Sequence, residues 1–264
     1  MATISLNAAV SLNAIEWGAS PDRSVLMIVH GLYGSARNWG AVARPLAERR
    51  RVICPDLRNH GHSPWADSHS YLDMAADLAR LIHSLGPPID LLGHSMGGKA
   101  AMVLALLRPQ LVRRLIIADI APIAYSHSQL PLVEAMQSVD LRRVQRRSDA
   151  LAQLRQAGVT NASLRDFLVQ SLDIATRKWR LNLAVLAAEM PKIMAFPDIK
   201  ATFSGPALFL GGAQSDYTTP DHRPLIQAYF PKARFVRIAG AGHWLHADKP
   251  QAVRETIQAW LEHP

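Results

Sequence analysis

Residues 89–101 of the chain read IDLLGHSMGGKAA and join a short apolar run to a segment of helical composition. The apolar run is typical of a buried strand, and the turn behind it carries the pattern G-x-S-x-G around Ser95. A serine on a sharp strand-to-helix turn presents its hydroxyl at the carboxyl edge of a sheet. Small residues are needed on both sides because the neighbouring backbones crowd that turn. The following helix also points its amino terminus at the site, which favours negative charge there. Ser95 is therefore a candidate nucleophile.

Strand-like apolar runs alternate with helical patterns on both sides of this turn. The runs are SVLMIVH (24–30), RVICPDL (51–57), RRLIIADIAP (113–122), PALFLGG (206–212) and RFVRIAG (234–240). This alternation predicts an α/β fold with a mostly parallel sheet and helices on both faces. Residues 4–17 alternate roughly in twos, which predicts an antiparallel hairpin at the sheet edge.

The alternation stops between residues 122 and 203, where four helix-like segments occur without an apolar strand between them. We interpret residues 122–203 as a helical insertion, a cap, in a core domain formed by residues 1–121 and 204–264. The insertion is basic, with 11 Lys and Arg against 7 Asp and Glu.

Composition excludes several classes of protein. With 264 residues, 49% of them hydrophobic and 19% charged, the chain is long and apolar enough for a large globular core. A single cysteine, Cys54, excludes an intramolecular disulfide and cysteine-rich metal sites. We expect no cofactor and no metal, because neither a carboxylate-rich ligand cluster nor HExxH spacing occurs.

The net charge of +8 does not by itself indicate a nucleic-acid partner. Its densest run, Arg142, Arg143, Arg146 and Arg147, shares one helical face, which is typical of a solvated surface. No run approaches the ~18 apolar residues of a membrane span, and no basic segment precedes an apolar one at the start of the sequence. We expect a soluble cytoplasmic protein, and the pattern leaves monomer and dimer open.

A serine hydroxyl needs a base and oxyanion donors to act as a nucleophile at neutral pH. The segment GAGHW after the last strand-like run makes His243 the candidate base, because a loop there reaches the serine edge of the sheet. For the oxyanion we expect the backbone N–H of Met96, directly after the nucleophile, and that of Leu32 in the glycine loop HGLYG (30–34).

The acid that orients the base has two candidates. Asp119 ends the run LIIADIAP, and Asp216 follows the next strand in GGAQSDYTTP. Both satisfy the chain order Ser, Asp, His, so the pattern alone leaves the choice open.

Five segments taken together resemble the α/β-hydrolase superfamily, and within it the small YbfF-type esterases: HGLYGS, DLRNHGHS, GHSMGGKAA, ADIAP and GAGHWLHADKP. The resemblance implies Ser95 as nucleophile, His243 as base and Asp119 as acid, with the insertion as a cap over the serine. Many other α/β-hydrolases place the acid where Asp216 stands; we favour Asp119.

The expected function is hydrolysis of a small-molecule carboxylic ester through an acyl-enzyme intermediate. Hydrolysis of thioesters, lactones or carbon–carbon bonds, and lyase chemistry, use the same arrangement of catalytic residues and stay open as alternatives. A catalytically inactive binding protein with this fold is a further alternative.

Four residues are predicted for the substrate pocket: Tyr33, His94, Trp179 and Trp244. The cap residues Phe167, Leu183, Met190 and Phe196 either line this pocket or form the core of the cap itself. For Lys99, one turn after the serine, solvation or a structural ion pair is favoured over selection of substrate charge.

Overall fold

The computed structural model of the chain describes residues 9–19 and 23–262. Nine strands lie in these residues: β1 (Ala14–Trp17), β2 (Leu26–Val29), β3 (Val52–Pro55), β4 (Ile89–His94), β5 (Val112–Ala118), β6 (Leu172–Asp173), β7 (Lys178–Trp179), β8 (Ala207–Gly212) and β9 (Ala233–Ile238). Eleven α-helices accompany them in the same ranges: α1 (Gly40–Leu46), α2 (Tyr71–Leu85), α3 (Met96–Leu107), α4 (Leu130–Gln137), α5 (Arg147–Gln156), α6 (Ala162–Val169), α7 (Leu183–Ala188), α8 (Met190–Met194), α9 (Arg223–Tyr229), α10 (Leu245–Asp248) and α11 (Pro250–Glu262).

Seven strands form one sheet in the order β1-β3-β2-β4-β5-β8-β9. All neighbouring pairs are parallel except β1 and β3, which are antiparallel. The predicted α/β class is confirmed. The predicted hairpin over residues 4–17 is not formed as expected, because β1 pairs with β3 and residues 9–13 are not a strand. Residues 4–8 of that prediction lie outside the described residues.

The two faces of the sheet bury alternate side chains. Along β2, Met27 and Val29 belong to the apolar cluster that α2 and α3 cover, whereas Leu26 and Ile28 belong to the cluster that α1 and α11 cover. Successive side chains of a strand point to opposite faces, so a sheet covered on both faces requires continuous apolar strands. This explains why the strand signals in the sequence are unbroken apolar runs.

The segment between β5 and β8 contains α4 to α8 and the antiparallel pair β6 and β7. The sequence pattern predicts four helical segments and no strand, and the structure has five helices and this small ribbon. Each of its strands has only two residues, which is too short to give an apolar run. The division into core and cap stays a prediction.

Parallel strands bring their carboxyl ends to one edge of the sheet. His30 follows β2, Ser95 follows β4, Asp119 follows β5 and His243 lies in the loop after β9. Residues far apart in the chain therefore meet at this edge, which is where open α/β sheets bind ligands. In residues 9–19 and 23–262, no helix has both the length and the apolar character that crossing a membrane requires.

Candidate active site

Ser95 lies on the tight turn between β4 and α3, with φ 51° and ψ −123°. A non-glycine residue with positive φ is strained, and close packing around it keeps it in place. A Cβ on Gly93 would lie 2.3 Å from the Gly97 carbonyl oxygen, and a Cβ on Gly97 would lie 2.3 Å from the His30 carbonyl oxygen. Both positions of the G-x-S-x-G pattern thus require glycine, because neighbouring backbone atoms occupy the space that a Cβ would need.

A chain of hydrogen bonds leads from Ser95 to a buried carboxylate. Ser95 Oγ lies 3.0 Å from His243 Nε2, and His243 Nδ1 lies 2.7 Å from Asp119 Oδ2. Asp119 is only 1% exposed. In this arrangement the imidazole can accept the serine proton at Nε2 while the carboxylate accepts the Nδ1–H and stabilises the imidazolium that forms.

The Asp119 carboxylate has two more donors. The Gly212 N–H donates to its Oδ1 at 3.0 Å, and the Ser215 hydroxyl donates to its Oδ2. A buried carboxylate needs such donors to remain charged. Asp216 is exposed, and in the described chain no hydrogen bond joins it to His243. Sequence reasoning missed Ser215, because nothing in its loop indicates that it faces a residue 96 positions away.

Two neighbours hold the His243 imidazole and its loop. The ring of Tyr217 stacks on the imidazole with 3.8 Å between centroids and 21° between planes. His94 donates from Nε2 to the His243 carbonyl oxygen at 2.8 Å, a role that fixes its tautomer because a carbonyl only accepts. Tyr217 was missed by the sequence analysis, since an aromatic residue in a loop carries no positional signal.

The loop after β2 packs directly against the serine turn. A Cβ on Gly31 would lie 3.0 Å from the Ser95 Cβ and 3.0 Å from His94 Nδ1, so glycine at residue 31 leaves room for the close approach of the loop to Ser95. Two residues further along the loop, the Tyr33 N–H donates to His60 Nε2 at 3.2 Å, which holds this part of the loop in place.

Among the described residues, two backbone N–H groups at the serine cavity have no hydrogen-bond acceptor. Met96 is the first residue of α3, so its N–H has no acceptor within the helix. Leu32 is partly buried beside the cavity, and among the hydrogen bonds of the described residues its N–H donates none. These are the two donors that the sequence analysis assigned to an oxyanion.

A cavity of about 270 Å³ opens at Ser95 and His243. Three of the four predicted pocket residues line it, namely Tyr33, His94 and Trp244. Residues of the insertion complete the wall, among them Phe167, whose ring lies 5.8 Å from that of Trp244. The cavity therefore joins the serine edge of the sheet to the insertion.

Trp179, the fourth predicted pocket residue, is a wrong prediction. It belongs to β7, does not line the cavity and is 9% exposed within the large apolar cluster that also contains Met27 and Val29 of β2. Leu183 and Met190 are likewise buried in that cluster, and Phe196 packs against it. Burial alone does not separate the two kinds of position, since Tyr33 is 3% exposed and lines the cavity, and sequence composition separates them no better.

Lys99 also differs from the expectation. It is 1% exposed, lines the cavity and has no carboxylate partner among the described residues. Its Nζ donates to the carbonyl oxygens of Met194 at 3.0 Å and Ala195 at 2.7 Å. Burial lowers the pKa of the Lys99 ammonium to about 7. The side chain is neither solvated nor part of an ion pair.

Histidines surround the site in neutral form. Burial lowers the pKa of His94 well below its usual value, and it lowers the pKa of His60 and of His246 to about 3. His246 stacks on Trp39 beside the cavity, with 4.4 Å between ring centroids. In the described part of the chain, no group of three or more His, Cys, Asp or Glu residues is arranged to hold a metal ion.

Comparisons with known proteins agree with this geometry. Residues 24–250 match the family model described as the alpha/beta hydrolase fold. The Escherichia coli K12 protein named esterase YbfF is 38% identical over 246 residues, covering 91% of this chain and 94% of the bacterial protein. The mouse protein named sn-1-specific diacylglycerol lipase ABHD11 is 40% identical over 246 residues, covering 89% of this chain and 80% of the mouse protein. A solved structure of a marine microorganism esterase superposes with a TM-score of 0.90 at 36% identity, covering 96% of this chain and all of that one.

The chain belongs to the alpha/beta hydrolase family. Within this family it is a serine ester hydrolase acting on a small-molecule substrate, as the esterases and the lipase that align with nearly its whole length indicate. The predicted class of enzyme is confirmed.

Proposed function

We propose that Ser95 is the nucleophile, His243 the general base and Asp119 the acid that orients the base. Ser95 Oγ attacks the ester carbonyl carbon while His243 Nε2 takes the hydroxyl proton and returns it to the leaving alcohol. Water, deprotonated by the same imidazole, then attacks the acyl-enzyme, and the carboxylic acid leaves as Ser95 is restored. The observation that carries this proposal is the hydrogen-bond chain of 3.0 and 2.7 Å from serine to buried carboxylate.

The Leu32 and Met96 N–H groups are the proposed oxyanion donors. Met96 directly follows Ser95 and Leu32 lines the same cavity, and among the hydrogen bonds of the described residues neither N–H has an acceptor that a negatively charged oxygen would need to displace. Preorganised backbone donors in a site that excludes water typically contribute about 10²-fold or more to kcat each.

The proposed substrates are carboxylic esters with short or medium acyl chains. The cavity of about 270 Å³ is slightly smaller than the range of about 300–1,000 Å³ that holds drug-sized ligands. Phe167 and Gln129 from the insertion line it, which supports the interpretation of residues 122–203 as a cap that shapes the acyl site and excludes water.

The test is hydrolysis of p-nitrophenyl esters from acetate to decanoate by the wild type, by Ser95→Ala and by Ser84→Ala. Ser84 is an exposed serine on α2 and serves as the matched control. We expect turnover that depends on chain length, disappears in Ser95→Ala and is unchanged in Ser84→Ala. Full turnover by Ser95→Ala would refute the assignment of the nucleophile. The cytoplasmic location, the lack of a nucleic-acid partner and the cofactor-independent chemistry stay predictions.

A further inference from the structure

The buried ammonium of Lys99 has no role in the proposed chemistry, yet it lines the same cavity as Ser95. No carboxylate among the described residues offsets the burial of Lys99. Its Nζ instead contacts two backbone carbonyl oxygens and the faces of two aromatic rings. Its Nζ lies 4.8 Å from the ring centroid of Tyr125 and 5.7 Å from that of Tyr71. The Lys99 side chain is therefore bound to these neighbours and is hardly exposed to water.

The two carbonyls belong to the chain segment that returns from the insertion to the core. We call residues 193–195, the end of α8 and the residue after it, the return segment. All three of its carbonyls are bound by core side chains: Tyr71 donates to Ile193 at 2.5 Å, and Lys99 donates to Met194 and Ala195. A helix end carries such unpaired carbonyls, and its partial negative charge suits an ammonium.

The return segment is also a wall of the cavity. Ile193 and Met194 line it together with Tyr71, Lys99 and Tyr125. The Tyr125 N–H donates to the Met194 carbonyl oxygen at 3.0 Å. This hydrogen bond joins the start of the insertion to the return segment, at a carbonyl that Lys99 also binds. The position of this wall therefore depends on the donors that hold its carbonyls.

We propose that Lys99, assisted by Tyr71, is a specificity-determining residue that fixes the return segment as a wall of the acyl cavity and so limits the length of acyl chain that this ester hydrolase accepts. The inference rests on the proposed function, since it takes the cavity at Ser95 to be the acyl site. Lys99 acts on the wall through hydrogen bonds to backbone carbonyls, and it does not touch the reacting atoms.

The test measures the ratio of kcat/KM for p-nitrophenyl decanoate to that for the acetate. Lys99→Met removes the ammonium at nearly constant volume, and Tyr71→Phe removes one hydroxyl without a change of charge. Lys192→Met, on exposed Lys192 of α8, is the matched control. We expect the ratio to rise about tenfold in Lys99→Met and about threefold in Tyr71→Phe, consistent with the loss of hydrogen bonds to the wall, and to stay within twofold in the control.

Ratios within twofold of the wild type in both cavity variants would overturn the inference, as would a fall in either. If Lys99→Met does not fold, as judged by circular dichroism, the Tyr71→Phe ratio decides alone. Loss of the proposed function gives a different result, because turnover would then be missing in the wild type or would persist in Ser95→Ala. An unchanged ratio with turnover that requires Ser95 removes only the role of Lys99.

Discussion

Replacing Asp119 by asparagine tests the orientation of the base at a single atom. The Gly212 N–H donates to Oδ1 and must keep facing an oxygen, so the new amide nitrogen takes the place of Oδ2. That nitrogen is a donor and faces His243 Nδ1, which lies 2.7 Å from Oδ2. The imidazole must then accept a hydrogen bond at Nδ1 and carry its own proton on Nε2. A protonated Nε2 cannot accept the proton of the Ser95 hydroxyl.

The expected loss follows from these contacts. The variant has the wrong tautomer and lacks the charge-assisted hydrogen bond that stabilises the imidazolium, while the cavity and the oxyanion donors stay in place. We expect kcat to fall on the order of 10³- to 10⁴-fold with KM changed little, which corresponds to about 4–5.5 kcal/mol of transition-state stabilisation.

The assay is hydrolysis of p-nitrophenyl butyrate at pH 7.5 by Asp119→Asn and, as the matched control, Asp216→Asn. Asp216 is exposed and lies outside the hydrogen-bond network of the base, so its variant should keep wild-type kcat. The reasoning is refuted if Asp216→Asn loses turnover while Asp119→Asn retains more than a tenth of it.

Three other perturbations have defined outcomes. Gly31→Ala places a Cβ 3.0 Å from that of Ser95 and should lower kcat about tenfold or more, whereas Gly40→Ala, with open space around its Cβ, should not; equal activities would contradict this. The pKa of His246 is lowered from 6.5 to about 3 by burial, so its contribution to folding stability is complete above pH 6.5 and falls by about 2–3 kcal/mol at pH 4.5. In urea unfolding, the variant His246→Phe should lose less stability between pH 7 and 4.5 than the wild type, and an identical loss would argue against the buried neutral imidazole. Tyr217→Leu removes the ring stacked on the base and should lower kcat about 3- to 10-fold, with Tyr217→Phe restoring most of it; full activity in the leucine variant would exclude this role.

The parts of this molecule that follow from local sequence were predicted from it. The strand-turn-helix unit around Ser95 is visible because crowding fixes the two glycines beside it and because its strand is buried on both faces. The meeting of Ser95 and His243 follows from the parallel sheet, since each residue follows the carboxyl end of a strand.

Other parts depend on contacts between distant residues, which no local pattern encodes. Asp119 and Asp216 both follow strands, and only the tertiary structure joins the first to His243 and to Ser215. Trp179 was misplaced because a buried indole looks the same in the sequence whether it fills a core or lines a pocket. The carbonyl contacts of Lys99 are made by backbone 95 and 96 residues away, so its side-chain type suggested only a solvated cation or an ion pair.

The central claim is that Ser95 becomes acylated through activation by its hydrogen-bonded imidazole, and covalent labelling tests it most directly. The enzyme is treated with a fluorophosphonate, which bonds to activated serines, and the modified peptide is identified by mass spectrometry. We predict one adduct, on the peptide that contains Ser95, with complete loss of esterase activity and no adduct in Ser95→Ala. An adduct on another residue, or full labelling of Ser95→Ala, would contradict the account.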